Sequence, residues 1–353
     1  QLIRYALPKF TFSLCVYFIL FSIHMDIINP QILTLITTYK CTAACENCCF
    51  NCSPQYSRLM SISEIKEYIS TCKATFPSIK VIVFTGGECT LLKDDLISAI
   101  SFCANLGLKT RIVSNGHWGK SLETAQNYIK LLTDNGLSEL NISTGKDHLK
   151  YVPLTNIINI IQAADLNDKI TGIVVSIEKR EDYNGNNPIK ILREKATLLK
   201  HREKTFIVES PWVNFRKRNI LFNHQERIEK REGCKNIFSG IQINPNGQLL
   251  SCCGLACEYT PVLKLGKFTQ DSLLRKYKQQ FNDILKLWLY TDGPLNILNQ
   301  INETSKIECR HDCDYCLELL TKSNNIKKLL DIDNKRAKEI VLKYIIDIKT
   351  LKK

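Results

Sequence analysis

Thr37-Thr38-Tyr39-Lys40-Cys41-Thr42-Ala43-Ala44-Cys45-Glu46-Asn47-Cys48 decides how this chain is read. Three cysteines stand in the spacing C-x3-C-x2-C, directly after the β-branched, apolar run 32–38. Three thiolates on one compact loop can hold three corners of an iron–sulfur cubane. The fourth corner then has no protein ligand nearby, and an open metal position is what catalytic sites keep and structural sites close. Cys45, Cys49 and Cys52 repeat the spacing in an overlapping register. The first register is preferred because Cys41 follows the strand. Cys49 and Cys52 are left as packing residues, redox-active thiols or extra ligands. The competing reading is a structural zinc site, although zinc usually takes four ligands in paired spacings.

Outward from this loop, two kinds of segment alternate. Short β-branched runs lie at 32–38, 81–85, 110–114, 140–143, 173–177 and 206–209. Helical patterns lie between them at 61–76, 91–106, 121–135, 156–164 and 189–201. Strand, helix, strand at this spacing means parallel βαβ units, whose crossovers are right-handed. Six units make a partial (β/α)6 TIM-like barrel over 25–210; a doubly wound sheet is the alternative from periodicity alone. Barrel chemistry sits on loops after strand C-termini. The cysteine loop, Gly86-Gly87-Glu88, Ser114-Asn115 and Ser143 all fall there.

The pattern resembles the radical S-adenosylmethionine (SAM) superfamily over residues 30–210. That resemblance implies a [4Fe–4S] cluster on Cys41, Cys45 and Cys48, with the SAM amino-carboxylate on the open iron. The reduced cluster of that family splits SAM into methionine and a 5′-deoxyadenosyl radical, which abstracts hydrogen from a substrate. Thr85-Gly86-Gly87-Glu88 resembles the family's Gly-Gly-Glu motif, which contacts the SAM amino group. Glycines permit close backbone approach, and Glu88 offers acceptors to an ammonium. Ser114, Asn115 and Ser143 match further SAM contacts more softly. The run from Ser143 to Asp147-His148 looks like a Ser-x-Asp-x-x-His segment with altered spacing; the plainer reading of His148 is a helix N-terminal residue. One departure stands out. The family usually has an aromatic residue before the third cysteine, and here it is Asn47.

After about residue 210 the alternation stops. Cys234, Gly247 and Cys252 resemble the opening of the SPASM or twitch auxiliary-cluster domains of this family, and Asn244-Pro-Asn-Gly247 reads as a turn between two short strands. Cys309, Cys313 and Cys316 follow, after a helical pattern at 272–289. The resemblance implies one auxiliary [4Fe–4S] cluster on Cys234, Cys252, Cys313 and Cys316, with Cys253, Cys257 and Cys309 as rivals and zinc as the alternative. Residues 211–353 are thus expected to form a small Cys-rich Fe–S domain, ending in amphipathic helices.

Sixteen cysteines would suit a disulfide scaffold in a small secreted domain. A chain of 353 residues with 44% hydrophobic content can build a core without one. Clustered thiols here point instead to metal ligation in a reducing, cytoplasmic setting. The net charge of +13 is read as a basic surface and not as a nucleic-acid tail. The apolar run 10–23 is shorter than a comfortable membrane span. Residues 1–24 are taken to precede a start at Met25, with a membrane anchor as the alternative. SPASM-type relatives often modify peptides, so the expected substrate is a peptide or protein side chain, with a flavodoxin- or ferredoxin-type reductant. A small-molecule substrate, or a non-enzymatic Fe–S or zinc protein binding nucleic acid, are the rivals.

Overall fold

Residues 27–179, 187–210, 212, 233–252, 254–302 and 311–351 are described by the computed structural model. Residues 1–24, Met25, Cys253 and Cys309, on which expectations rested, lie outside them.

The six apolar runs form six parallel strands: β1 (Ile32–Ile36), β2 (Val81–Thr85), β3 (Lys109–Ser114), β4 (Glu139–Thr144), β5 (Gly172–Glu178) and β6 (Thr205–Ser210). Five helices connect them: α1 (Ile62–Thr75), α2 (Asp94–Asn105), α3 (Leu122–Asp134), α4 (Leu154–Asp165) and α5 (Pro188–Ala196). Local chemistry sets where these begin. Ser61 and Ser121 close capping boxes with Glu64 and Thr124, and Asn187 caps α5 ahead of Pro188. The pattern expected to run as one helix from 91 is broken. Cys89–Leu92 form a 3-10 turn, Lys93 takes φ 53°, and α2 starts afresh at Asp94.

Neighbouring strands follow chain order, β6-β5-β4-β3-β2-β1, without a reversal. A doubly wound sheet reverses its strand order at a switch point, so this is the partial barrel and not its alternative. Leu140, Ile142, Ile173 and Val175 bury one face against α4 and α5 residues such as Ile157, Ile161 and Leu192. On the opposite face, register aligns Asn141, Val174 and Phe206 in one row and Ser143, Ser176 and Val208 in the next. That face is more open: Phe206 is 55% exposed and Val208 42%.

The sheet does not end at β1. Three more strands extend it: β7 (Gly240–Ile243), parallel to β1, then antiparallel β8 (Gln248–Leu250) and β9 (Lys264–Lys267). Gly247, at φ 67°, makes the expected hairpin turn. Short α6 (Asn236–Ser239) leads into β7. Behind these strands lie α7 (Leu273–Gln279), α8 (Ile284–Ile301), α9 (Asp312–Thr321), α10 (Ser323–Leu330) and α11 (Asn334–Leu351). The helical pattern at 272–289 splits because Asp283 caps a new helix, accepting from the Leu285 and Lys286 N–H groups. One hydrophobic core runs from Leu33 through Tyr277 and Tyr344 to Ile348. Among the described residues no helix is long and apolar enough to cross a membrane.

Candidate active site

The cysteine loop leaves β1 and is stitched down at its base. Met60 N–H donates to Thr37 O (2.8 Å), Ser53 N–H to Tyr39 O (3.2 Å) and Cys41 N–H to Ser53 O (3.1 Å). The chain therefore goes out and back between residues 37 and 60, and the thiols lie on the excursion. Cys41, Cys45, Cys48 and Cys52 gather with Ala43 in one small apolar cluster.

Gly86 and Gly87 explain how the loop is carried. Gly87 N–H donates to Thr38 O (2.7 Å) and Glu88 N–H to Lys40 O (2.9 Å), extending the β1–β2 pairing to the edge of the thiol loop. A Cβ on Gly86 would lie 2.3 Å from Thr38 O, and one on Gly87 2.1 Å from Lys40 O. Close backbone approach is thus required here, and the partner is the chain's own backbone. Glu88 is fully buried. Its Oε1 accepts from Thr90 N–H (3.2 Å) and Oγ1 (2.7 Å), and its Oε2 from Asn115 N–H (2.8 Å).

Asn115 carries the connection to the first thiol. Its Nδ2 donates to Thr42 Oγ1 (2.9 Å) and lies 3.6 Å from Cys41 Sγ. His117 Nδ1 stands 3.3 Å from Asn115 Oδ1 and 4.0 Å from Glu88 Oε2. Ser114 is buried in its own turn, where its Oγ accepts from Gly116 N–H and Trp118 Nε1. Ser143 is half-buried on the open face of β4, opposite Ser176.

The other side of the loop is held from β4 and β5. Asp147 Oδ2 accepts from both Asn47 N–H and Asn47 Nδ2, each at 2.8 Å. Glu178 Oε1 lies 3.4 Å from the same Nδ2, and Tyr151 Oη donates to Ala44 O (3.0 Å). Asp147 and Glu178 are 2% and 0% exposed. Where relatives carry an aromatic ring, this chain has an amide locked between two buried carboxylates. Glu178 escaped the sequence reading. The available signal was a carboxylate ending an otherwise apolar strand on the functional side of the barrel.

Burial pushes the Cys41 thiol up to about 12 and raises Cys45 as well, with neighbouring thiols adding to both. Cys48 is held down to about 6, chiefly by a hydrogen bond from Cys52. His148 is depressed to about 4 by burial. Its ring meets Trp212 edge-on at 4.4 Å between centroids, and its Nδ1 is buried without a hydrogen-bond partner.

The second cysteine set also comes together. Cys313 and Cys316 are one turn apart at the start of α9, whose N-cap His311 accepts from Cys313 N–H (3.1 Å). A Cβ on Gly254 would lie 3.3 Å from both Cys252 and Cys313 Sγ. Burial and then the charges of Cys252, Cys313 and Cys234 raise the Cys316 thiol. Cys257 lies next to the set, donating to Gly254 O (2.8 Å). Tyr39 Oη donates to Glu258 Oε1 (2.8 Å), so the two cysteine-bearing parts touch directly. Among the described residues no three His, Cys, Asp or Glu side chains converge on a single metal ion.

A parallel six-strand barrel with a thiol triad after its first strand defines a class, and the comparisons bear on it. Residues 35–144 match the family model described as the Radical SAM superfamily. Among curated proteins it is similar to one of Bacillus subtilis (strain 168) described as "Putative peptide biosynthesis protein YydG". The two are 25% identical over 270 residues, covering 76% of this chain and 83% of the relative. Among solved structures, native anSMEcpe with bound AdoMet and Cp18Cys peptide is similar at 11% identity, covering 92% of this chain and 100% of that one, with a TM-score of 0.50; it shares the fold. Streptococcus suis SuiB bound to S-adenosylmethionine matches at 17% identity over 77% of this chain and 74% of its own, with a TM-score of 0.43.

Proposed function

We propose that this protein is a radical SAM enzyme that modifies a peptide or protein side chain. The observation that carries the chemistry is the triad Cys41, Cys45 and Cys48, gathered on one loop at the barrel mouth. Three soft sulfur donors in an apolar nest, with a loop backbone braced on both sides, fit a [4Fe–4S] cluster. Held by Cys41, Cys45 and Cys48, such a cluster would supply the one-electron reduction needed to cleave SAM and start hydrogen abstraction from a substrate.

The chain's own residues position and shield this chemistry. Asn115 holds the Cys41 end of the loop and Asp147 the Cys45–Cys48 end. Gly86, Gly87 and Glu88 fix the base, and Ser143 faces the mouth from β4. Because Cys41 and Cys45 are raised, loading the site releases their protons. The open face beyond, with Phe206 and Val208 exposed beside Ser143, Ser176 and Asn141, offers apolar and hydrogen-bonding contacts to a substrate side chain. The B. subtilis relative's description as a peptide biosynthesis protein supports a peptide as that substrate.

The second set, for which Cys234, Cys252, Cys313 and Cys316 are the candidates, holds an auxiliary [4Fe–4S] cluster in this reading. A flavodoxin- or ferredoxin-type protein supplies electrons. The 25–210 barrel and the 211–353 Cys-rich part are its two functional regions.

The test is anaerobic purification, reconstitution with iron and sulfide, and assay of 5′-deoxyadenosine after dithionite and SAM. About eight irons per chain are expected, with SAM cleavage lost in a Cys41/Cys45/Cys48→Ala triple variant. A short peptide encoded beside the gene should change mass only with the loaded wild-type enzyme. No deoxyadenosine under any reductant would overturn the enzyme reading, and an unchanged peptide beside active SAM cleavage would overturn the substrate reading.

A further inference from the structure

The cysteine loop carries two thiols that the C-x3-C-x2-C triad does not use, and their surroundings differ. Cys52 turns back into the loop. It is buried beside Cys41 and Ala43, and its own N–H reaches Cys48 Sγ (3.3 Å). Cys49 goes the other way. It packs on Ala256 and Leu317, in the same small apolar cluster as Cys313 and Cys316. Its carbonyl accepts a hydrogen bond from Tyr259 Oη, which pins this residue of the barrel loop against the C-terminal part.

Cys252 borders the same place. The missing Cβ of Gly254 leaves a gap flanked by the Cys252 and Cys313 sulfurs, at 3.3 Å from each. Thiols from three distant stretches therefore lie near one another here: Cys49, Cys252, Cys313 and Cys316, with Cys257 beside Cys252. Thiolates gathered from separate segments into a water-poor site are the ligand environment of an iron–sulfur cluster. Cys234 is the rival, since its charge also acts on the Cys316 thiol. It is half-buried, and its N–H is committed to Leu289 O (2.9 Å), on the α8 side.

Resting on the auxiliary cluster argued above, we propose that Cys49 supplies its fourth thiolate, with Cys252, Cys313 and Cys316, in place of Cys234. Adjacent residues of one loop then serve two centres. Cys48 faces the SAM-cleaving cluster, Cys49 faces the auxiliary one, and a single peptide bond joins their ligands. The auxiliary site is in that case completed by the barrel, and the C-terminal part cannot load it alone.

The experiment compares the full chain with its Cys49→Ala, Cys234→Ala and Cys52→Ala variants after the same anaerobic reconstitution. Iron and sulfide are counted, and the EPR spectrum of the reduced protein is recorded with and without SAM. Circular dichroism checks that each variant is folded. The expected result is that Cys49→Ala loses about half its iron while its remaining signal still changes on adding SAM. Cys234→Ala and Cys52→Ala should keep the wild-type iron content. Full iron in Cys49→Ala overturns the proposal, and so does loss of both clusters there, which would make Cys49 a packing residue of the loop. A wild-type chain with only about four irons removes the auxiliary-cluster reading itself, before any variant is compared.

Discussion

His148 shows what a buried ionisable residue does when its ring nitrogen has no partner. Burial depresses it to about 4, against an ordinary 6.5, while the neighbouring Asp147 charge pulls weakly the other way. Between those values the unfolded chain binds a proton that the folded chain refuses. Stability therefore rises with pH across that window, and falls as the solution is acidified from 6.5 towards 4. The full effect is about 3 kcal/mol. A His148→Phe variant should show a flatter dependence of its urea midpoint on pH between 4 and 6.5. An unchanged slope would mean that another group carries the acid sensitivity. The contrast with Asp147 is instructive: a buried carboxylate is tolerated there because two Asn47 donors meet it.

At the scale of the element, α8 is braced through a single side chain. Gly293, at φ 76°, and Pro294 break its backbone in the middle. Asp292, just before the break, gathers what holds the two halves and α11 together. It accepts from Trp288 Nε1 (3.1 Å), Gln300 Nε2 (3.0 Å) and Arg336 Nη2 (3.0 Å), and from Lys343 Nζ. Burial alone would raise its carboxyl; the hydrogen bonds and charge from Lys343, with Gln300 and Trp288, outweigh this and hold it low. Its stabilisation is complete above the ordinary carboxylate range and is lost as pH falls through the lowered value. Asp292→Asn keeps the shape and removes the charge from two cations. We expect it to cost about 2 kcal/mol, read as a lower urea midpoint near neutral pH. The deficit should shrink in acid, and a variant as stable as wild type would remove Asp292 from this role.

At the scale of the molecule, the barrel and the cysteine-rich part share one sheet and one core. β7 hydrogen-bonds along β1, and Tyr277 Oη lies 2.8 Å from both the Ile28 and the Phe238 carbonyl oxygens, one on each side of that junction. Cutting the chain after β6 would strip β1 of its outer partner and leave a bare strand edge beside exposed core. The whole chain should unfold in a single transition, with circular dichroism and tryptophan fluorescence coincident, since Trp118 and Trp288 report from the two parts. A chain ending at residue 210 should bind a hydrophobic dye or precipitate. A soluble fragment of undiminished stability would show the barrel to be independent of the rest.

The barrel was legible before any coordinate because its determinants are local. A β-branched run of five to seven residues forms a strand wherever it can be covered, and an amphipathic segment after it forms a helix. The fixed hand of the crossover then orders six such units in only one way. The thiol triad was legible for the same reason, since its spacing lies within eight consecutive residues. What joined the sites was settled only by packing. Asn47 meets Asp147 and Glu178 across 100 and 131 residues, and Cys49 meets Cys313 and Cys316 from the far end of the chain. Neither contact leaves a periodic trace, because each rests on where whole elements come to lie. β7 has only four residues, too few to announce that it extends the sheet at β1. Short-range pattern thus encodes the elements and the cysteine loop, while the burial of the complete core decides which distant side chains brace that loop and which thiols stand together.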